Sequence, residues 1–278
     1  MGIAGAPGAE AAHRVGGSDA NTGTGDVLVA RDRDVLRITV NRPEKRNPLS
    51  RAVLSGIRAT LEAHRDDDVL RLVTITGAGE RSFAAGGDLR EVEAIRTAEE
   101  AARFSDEACA ALDAVRRFPA PVVAVLNGDA LGGGAELAVA CDLRIMAAHA
   151  RIGFIQGRLN ISTSWGGGTD LMRLVGYGRA LSLLGRSTIL TAPEALDVGL
   201  VEAVAPTGTD VQAFADEFTE PMRQQTALVL RAFKAQAVSE RFAAPRTESR
   251  LAERSFFERT WVHDDHWAAA ARALAPAR

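Results

Sequence analysis

Between residues 126 and 142 the chain reads LNGDALGGGAELAVACD, and this stretch restricts the fold more than any other. An apolar run, 122–126, leads into it; Gly132, Gly133 and Gly134 stand at its centre; a second apolar run, 137–141, closes it. That order predicts a buried strand, a glycine turn and the start of a buried helix. Glycines in such a turn let a backbone approach a ligand, and the first N–H groups of a helix lack intrahelical partners, so they project as donors. Glu136 falls in the first helical turn beside them. An acid there can simply complement the helix dipole. Its neighbours Ala135, Leu137, Ala138, Val139 and Ala140 carry no charge, however, and a carboxylate in apolar surroundings tends to be functional or tightly paired. Neither nucleotide motif fits: a Walker A loop needs Gly-Lys-Ser/Thr where Gly134 and Ala135 follow Gly133, and a dinucleotide fingerprint needs a small residue where Leu137 stands.

A chain of 278 residues with 46% hydrophobic and 25% charged side chains suits a soluble globule with one large core or a core with a modest appendage. The net charge of −3, pI near 6.0 and scattered Lys and Arg argue against nucleic acid as a partner. Cys109 and Cys141 both lie in apolar helical patterns, which suits a reducing compartment, expected to be the cytoplasm, rather than a disulfide framework. No apolar run approaches the ~20 residues of a membrane span, and the N-terminus lacks a signal-peptide core. His263 and His266 form an H-x-x-H pair on a charged stretch without a third ligand, so no metal is expected, and no G-x-S-x-G elbow supplies a serine nucleophile.

Residues 1–25 are rich in Gly and Ala and poor in large apolar side chains, which predicts a mobile tail. Residues 27–40 read as a hairpin turning at Arg33-Asp34, and the Pro-punctuated loop 41–50 ends in Ser50, an N-cap for a helix bearing Val53, Leu54, Ile57 and Leu61. A strand over 70–77, a helix start at Asp88 after Gly86 and Gly87, a helical stretch over 97–117 and a strand over 143–146 follow. Residues 151–176 read as a loop whose glycines, Gly166, Gly167 and Gly168, open another helix; a phosphate cradle there lacks its Lys. From Ala192 onward the chain reads as helices, the last over 246–273. The expected division is therefore the tail (1–25), an α/β core (26–205) and a C-terminal helical region (206–278).

The segments NRPEKRN (41–47), SFAAGGDLRE (82–91), NGDALGGGAELAVACDLRI (127–145), WGGGTDLMRLVG (165–176) and TAPEALDVGLVEAV (191–204), in this order, resemble the crotonase, or enoyl-CoA hydratase/isomerase, family. The resemblance implies a ClpP-like spiral of ββα units forming two stacked sheets, with a helical tail that builds a homotrimer or a dimer of trimers. It implies an acyl-CoA thioester as ligand, with coenzyme A as part of the substrate and no separate cofactor. By motif position, the N–H groups of Gly87 and Gly133 would bind the thioester oxygen as an oxyanion hole. Lys45, Arg46, Ala85, Asp88, Leu89 and Arg90 would line the CoA path, and Gln156 and Trp165 would reach the substrate.

Hydratases of that family use two glutamates; the first matches Glu136, but Gln156 stands where the second belongs, and an amide cannot titrate. The segment 153–168 and the tail 258–261 (ERTW) look similar to the ethylmalonyl-CoA and methylmalonyl-CoA decarboxylases of the family. Decarboxylation of a short malonyl-type acyl-CoA is accordingly the first expectation, with enoyl-CoA hydration or isomerisation through Glu136 as the alternative and a non-catalytic CoA-binding role behind both.

Overall fold

The computed structural model describes residues 25–242. Apart from Gly25, the expected tail lies outside them, as do the helix over 246–273, the ERTW segment and the pair His263 and His266.

The described residues open with a hairpin of β1 (Val27–Asp32) and β2 (Val35–Val40), paired from Val27 with Val40 to Asp32 with Val35, and Arg33 takes the left-handed conformation the tight turn requires. Helix α1 (Arg51–Ala63) follows: the Ser50 hydroxyl accepts from the Val53 N–H at 3.3 Å, and Val53, Leu54, Ile57 and Leu61 form its buried face. Then come β3 (Leu72–Gly77), β4 (Ser82–Ala84), α2 (Leu89–Glu93), capped by Asp88, and α3 (Ala98–Arg116), opened by a capping box between Thr97 and Glu100. The apolar run and the glycine stretch after it give β5 (Val122–Leu126), β6 (Asp129–Leu131) and α4 (Gly133–Ala140). Helix α4 is buried on every side, as a run apolar but for Glu136 demands. Next are β7 (Leu143–Ala147), β8 (Arg151–Gly153), α5 (Gly167–Val175), α6 (Tyr177–Gly185), β9 (Ile189–Thr191), α7 (Ala192–Asp197), β10 (Ala203–Ala205), α8 (Val211–Arg223) and α9 (Ala227–Arg241).

The strands form two sheets, β1-β2-β3-β5-β7-β10 and β4-β6-β8-β9. From β3 onward each ββα unit sends its first strand to the larger sheet and its second to the smaller: β3 and β4, β5 and β6, β7 and β8. Pairing among β2, β3, β5, β7 and β10 is parallel, and β5 at the centre, buried along its whole length, reads as an unbroken apolar run. Two asparagines fix the units to one another. Asn127 exchanges bonds with the backbone of Gly77, accepting at 3.0 Å and donating at 2.8 Å, while Asn47 accepts from Arg42 N at 2.9 Å and donates to Ser82 O at 2.7 Å.

Three expectations change. The glycine turn at 132–134 is not a direct passage from the strand 122–126 to the helix, because β6 intervenes and pairs with β4 and β8. Residues 151–176 are not all loop before the helix: β8 occupies their first three positions and a 3-10 turn covers Gln156–Leu159. The chain after Ala192 is not purely helical, since β10 joins β7 in the larger sheet. Strands three residues long are too short to display an alternating pattern, so only pairing reveals them.

Candidate active site

The two glycine turns named in the sequence meet in space. A methyl group placed on Gly86 would lie 3.2 Å from Leu131 O and 3.7 Å from Gly133 N, and one on Gly132 would lie 4.0 Å from the Gly86 Cα. Gly86 (φ 108°) and Gly132 (φ 55°) hold conformations that favour glycine, and each turns the chain so that the next residue presents its amide. In the bridge between Leu49 and Gly87 the bonds run from Leu49 N to Gly86 O and from Asp88 N to Leu49 O, leaving the Gly87 N–H outside the pairing. Gly133 is the first residue of α4, where an N–H has no intrahelical acceptor. Among the described residues neither N–H donates to a protein acceptor.

Glu136 stands one turn along α4 and is 2% exposed. Its Oε2 accepts the backbone N–H groups of Trp165 at 3.0 Å and Gly167 at 2.9 Å; its Oε1 accepts the Gln156 amide at 2.9 Å. Burial pushes the carboxyl above its ordinary range, against the pull of those donors and of the Arg116 guanidinium. Glu136 is thus a buried acid whose two oxygens accept from three donors.

The second glycine triplet works as a passage. A methyl group on Gly166 would lie 2.9 Å from Arg116 Nη2, and one on Gly167 would lie 2.5 Å from Glu136 Cγ, so a chain with side chains could not run between guanidinium and carboxylate. Arg116 itself is buried: Nη2 donates to Trp165 O at 2.7 Å, Nε to Asp170 at 2.8 Å and Nη1 to Asp113 at 2.8 Å. Arg241, from α9, also pairs with Asp170 at 3.0 Å. Arg116 and Asp170 were not singled out in the sequence, where a basic residue closing a polar helix carries no special signal; their pairing fixes the backbone that grips Glu136.

Of the expected site residues, the fold brings together Gly87, Gly133, Glu136, Gln156 and Trp165. Trp165 is 5% exposed and packs its ring edge-on to Phe104, centroids 5.8 Å apart. Asp88 has a structural occupation: one oxygen caps α2 through Arg90 N and the other accepts from Arg42 at 2.8 Å. Burial opposes its ionisation, yet these bonds outweigh burial and hold the carboxyl below its ordinary range. Leu89 opens α2, its side chain lying outside the described ones. Lys45, Arg46 and Arg90 are exposed and make no ion pair among the described residues. Arg46 and Ala85 line a cavity of about 560 Å³ with Arg81, Leu131, His149 and Arg151, which neither Glu136 nor Trp165 reaches.

Known proteins share this arrangement of chain. The sequence model of the enoyl-CoA hydratase/isomerase family matches residues 30–272. Crotonyl-CoA hydratase of Syntrophomonas wolfei subsp. wolfei is 36% identical over 179 residues, 64% of this chain and 68% of that protein. The probable enoyl-CoA hydratase echA8 of Mycobacterium tuberculosis is 32% identical over 239 residues, 86% of this chain and 91% of that one. The crystal structure of an enoyl-CoA hydratase from Bacillus anthracis superposes with a TM-score of 0.82 at 31% identity, covering 89% of this chain and 95% of that one. The chain belongs to the enoyl-CoA hydratase/isomerase family.

Proposed function

We propose that the chain is an acyl-CoA enzyme of the hydratase/isomerase type, in which the N–H groups of Gly87 and Gly133 hold the thioester oxygen and Glu136 moves the proton at the α-carbon. The state of Glu136 carries this reading: Oε2 is taken by two backbone N–H groups, so Oε1 is the oxygen that exchanges a proton, and the Gln156 amide sits against it. As the thioester becomes an enolate, charge gathers on its oxygen, where each aimed donor contributes ~3–4 kcal/mol. In hydration, ionised Oε1 takes a proton from water while the water oxygen bonds to the β-carbon and the π-pair moves into the enolate. The same proton then passes from Oε1 to the α-carbon, leaving a 3-hydroxyacyl thioester. Because taking and giving are successive, one acid serves both. The Gln156 Oε1, buried and without a partner among the described residues, is an acceptor suited to the water's second hydrogen.

Coenzyme A is assigned to the loop 43–47 and residues 85–90, where the exposed charges of Lys45, Arg46 and Arg90 suit its phosphates. A trimer or dimer of trimers is the proposed assembly, supported by the apolar surface that Leu159, Ile161, Tyr177 and Leu181 leave exposed.

The sequence put decarboxylation first. Relatives named crotonyl-CoA hydratase and short-chain-enoyl-CoA hydratase favour hydration or isomerisation, which now leads. One observation still favours the other reading: Gln156 replaces a second titrating acid, and loss of CO₂ from a malonyl-type thioester needs only the two N–H donors and a later proton. Side-by-side kinetics decide between them. Crotonyl-CoA is expected to be hydrated faster than methylmalonyl-CoA or ethylmalonyl-CoA loses CO₂, by about tenfold or more, ~1.4 kcal/mol of barrier. The reverse order would put decarboxylation first.

A further inference from the structure

We propose that Trp165 sets the length of acyl group this chain accepts, its indole forming the end wall of a short acyl pocket beside Gly87 and Gly133. The inference rests on the thioester reading above and adds the substrate class: short-chain acyl-CoA esters.

The position of the ring carries the argument. A methyl group on Gly133 would lie 2.3 Å from Trp165 Cζ3 and 2.6 Å from Cη2, and one on Gly87 would lie 3.8 Å from Cη2 and Cζ2. The benzo edge of a single indole therefore spans both glycines whose amides would hold the substrate oxygen. Beside it, Val92 Cγ2 lies 3.4 Å from the same point on Gly87. A thioester oxygen held by both amides would bring the carbonyl carbon, and the acyl chain with it, to the same two residues that the indole borders.

The ring is not free to leave. Its residue is held by the backbone at both ends, the N–H by Glu136 at 3.0 Å and the carbonyl by Arg116 at 2.7 Å, and Phe104 meets the ring edge-on with planes at 71°. A longer acyl chain would have to displace a nearly buried indole from these contacts, whereas a short one stops against it. Apolar pockets discriminate by about 1–3 kcal/mol per methylene, so a few methylenes too many suffice to exclude a substrate.

The test measures binding of butyryl-CoA and octanoyl-CoA by calorimetry to the unmodified protein, Trp165→Phe and Trp165→Ala, each checked for a cooperative melt. Binding reads the pocket without requiring turnover. The unmodified protein is expected to bind butyryl-CoA on the order of tenfold or more tightly than octanoyl-CoA; Trp165→Ala should abolish or invert that ratio, and Trp165→Phe should fall between. A ratio unchanged in Trp165→Phe or Trp165→Ala, both esters weakening together, would show a packing residue only and overturn the wall while leaving the thioester reading intact. Failure of the unmodified protein to bind either ester would overturn both.

Discussion

Glu136 faces opposed demands: the proposed chemistry requires that it change charge, and burial makes the charged form costly. Its folded pKa is raised by burial above the unfolded value, so the native state binds more protons than the unfolded state between the two. The stability it contributes is full below the unfolded pKa and is lost as pH rises through the folded one. Glutamine at this position does not titrate. It can keep an oxygen toward the Trp165 and Gly167 N–H groups, while Gln156 turns its unpartnered oxygen to the new amide. Glu136→Gln should therefore lose ~10²–10⁴-fold in turnover. Its melting temperature, relative to the unmodified protein, should climb with pH across that window and be most favourable above it. Melts collected over a pH series check this, and a difference that shrinks as pH rises would contradict it.

Between elements, closeness of approach decides which glycines are replaceable. A methyl group on Gly134 would lie 2.0 Å from Ala84 O, a backbone atom of β4 that cannot swing aside, so this glycine sets how near α4 comes to the smaller sheet. Gly178, in α6, has nothing within 4 Å. Gly134→Ala should destabilise by ~1–3 kcal/mol or more, whereas Gly178→Ala should stabilise by ~0.4–1 kcal/mol because the unfolded chain loses freedom. Urea unfolding of the two variants tests the contrast. Equal effects would mean that the approach of α4 to β4 is not a fixed constraint. The same closeness explains the Gly166-Gly167 passage, which a phosphate reading could not.

For the whole molecule, the segment 156–185 leaves large apolar side chains in water: Tyr177 is 83% exposed, Leu181 65%, Leu159 62% and Ile161 54%. The proposed trimer or dimer of trimers would cover such a surface. Light scattering at micromolar concentration should report three or six copies, and Leu181→Glu should shift the population toward smaller species. A monomer for the unmodified protein would remove the proposal, and an unshifted Leu181→Glu would move the interface elsewhere.

What the sequence determined by itself was local. Hairpin turning at Arg33, Ser50 cap, Asp88 helix start and buried strand before the glycines follow from turn chemistry, capping and apolar runs, all confined to a few neighbouring residues. Glu136 was legible as an acid in an apolar run, and the order of motifs indicated the family. Tertiary structure alone decided the rest: three-residue strands that exist only by pairing, the two glycine turns brought together, Gln156 against Glu136, and Arg116 on Asp170 and on the carbonyl of Trp165. Periodicity records which face of an element is buried. It does not record which distant side chain meets it there, because that contact is set by how the elements pack.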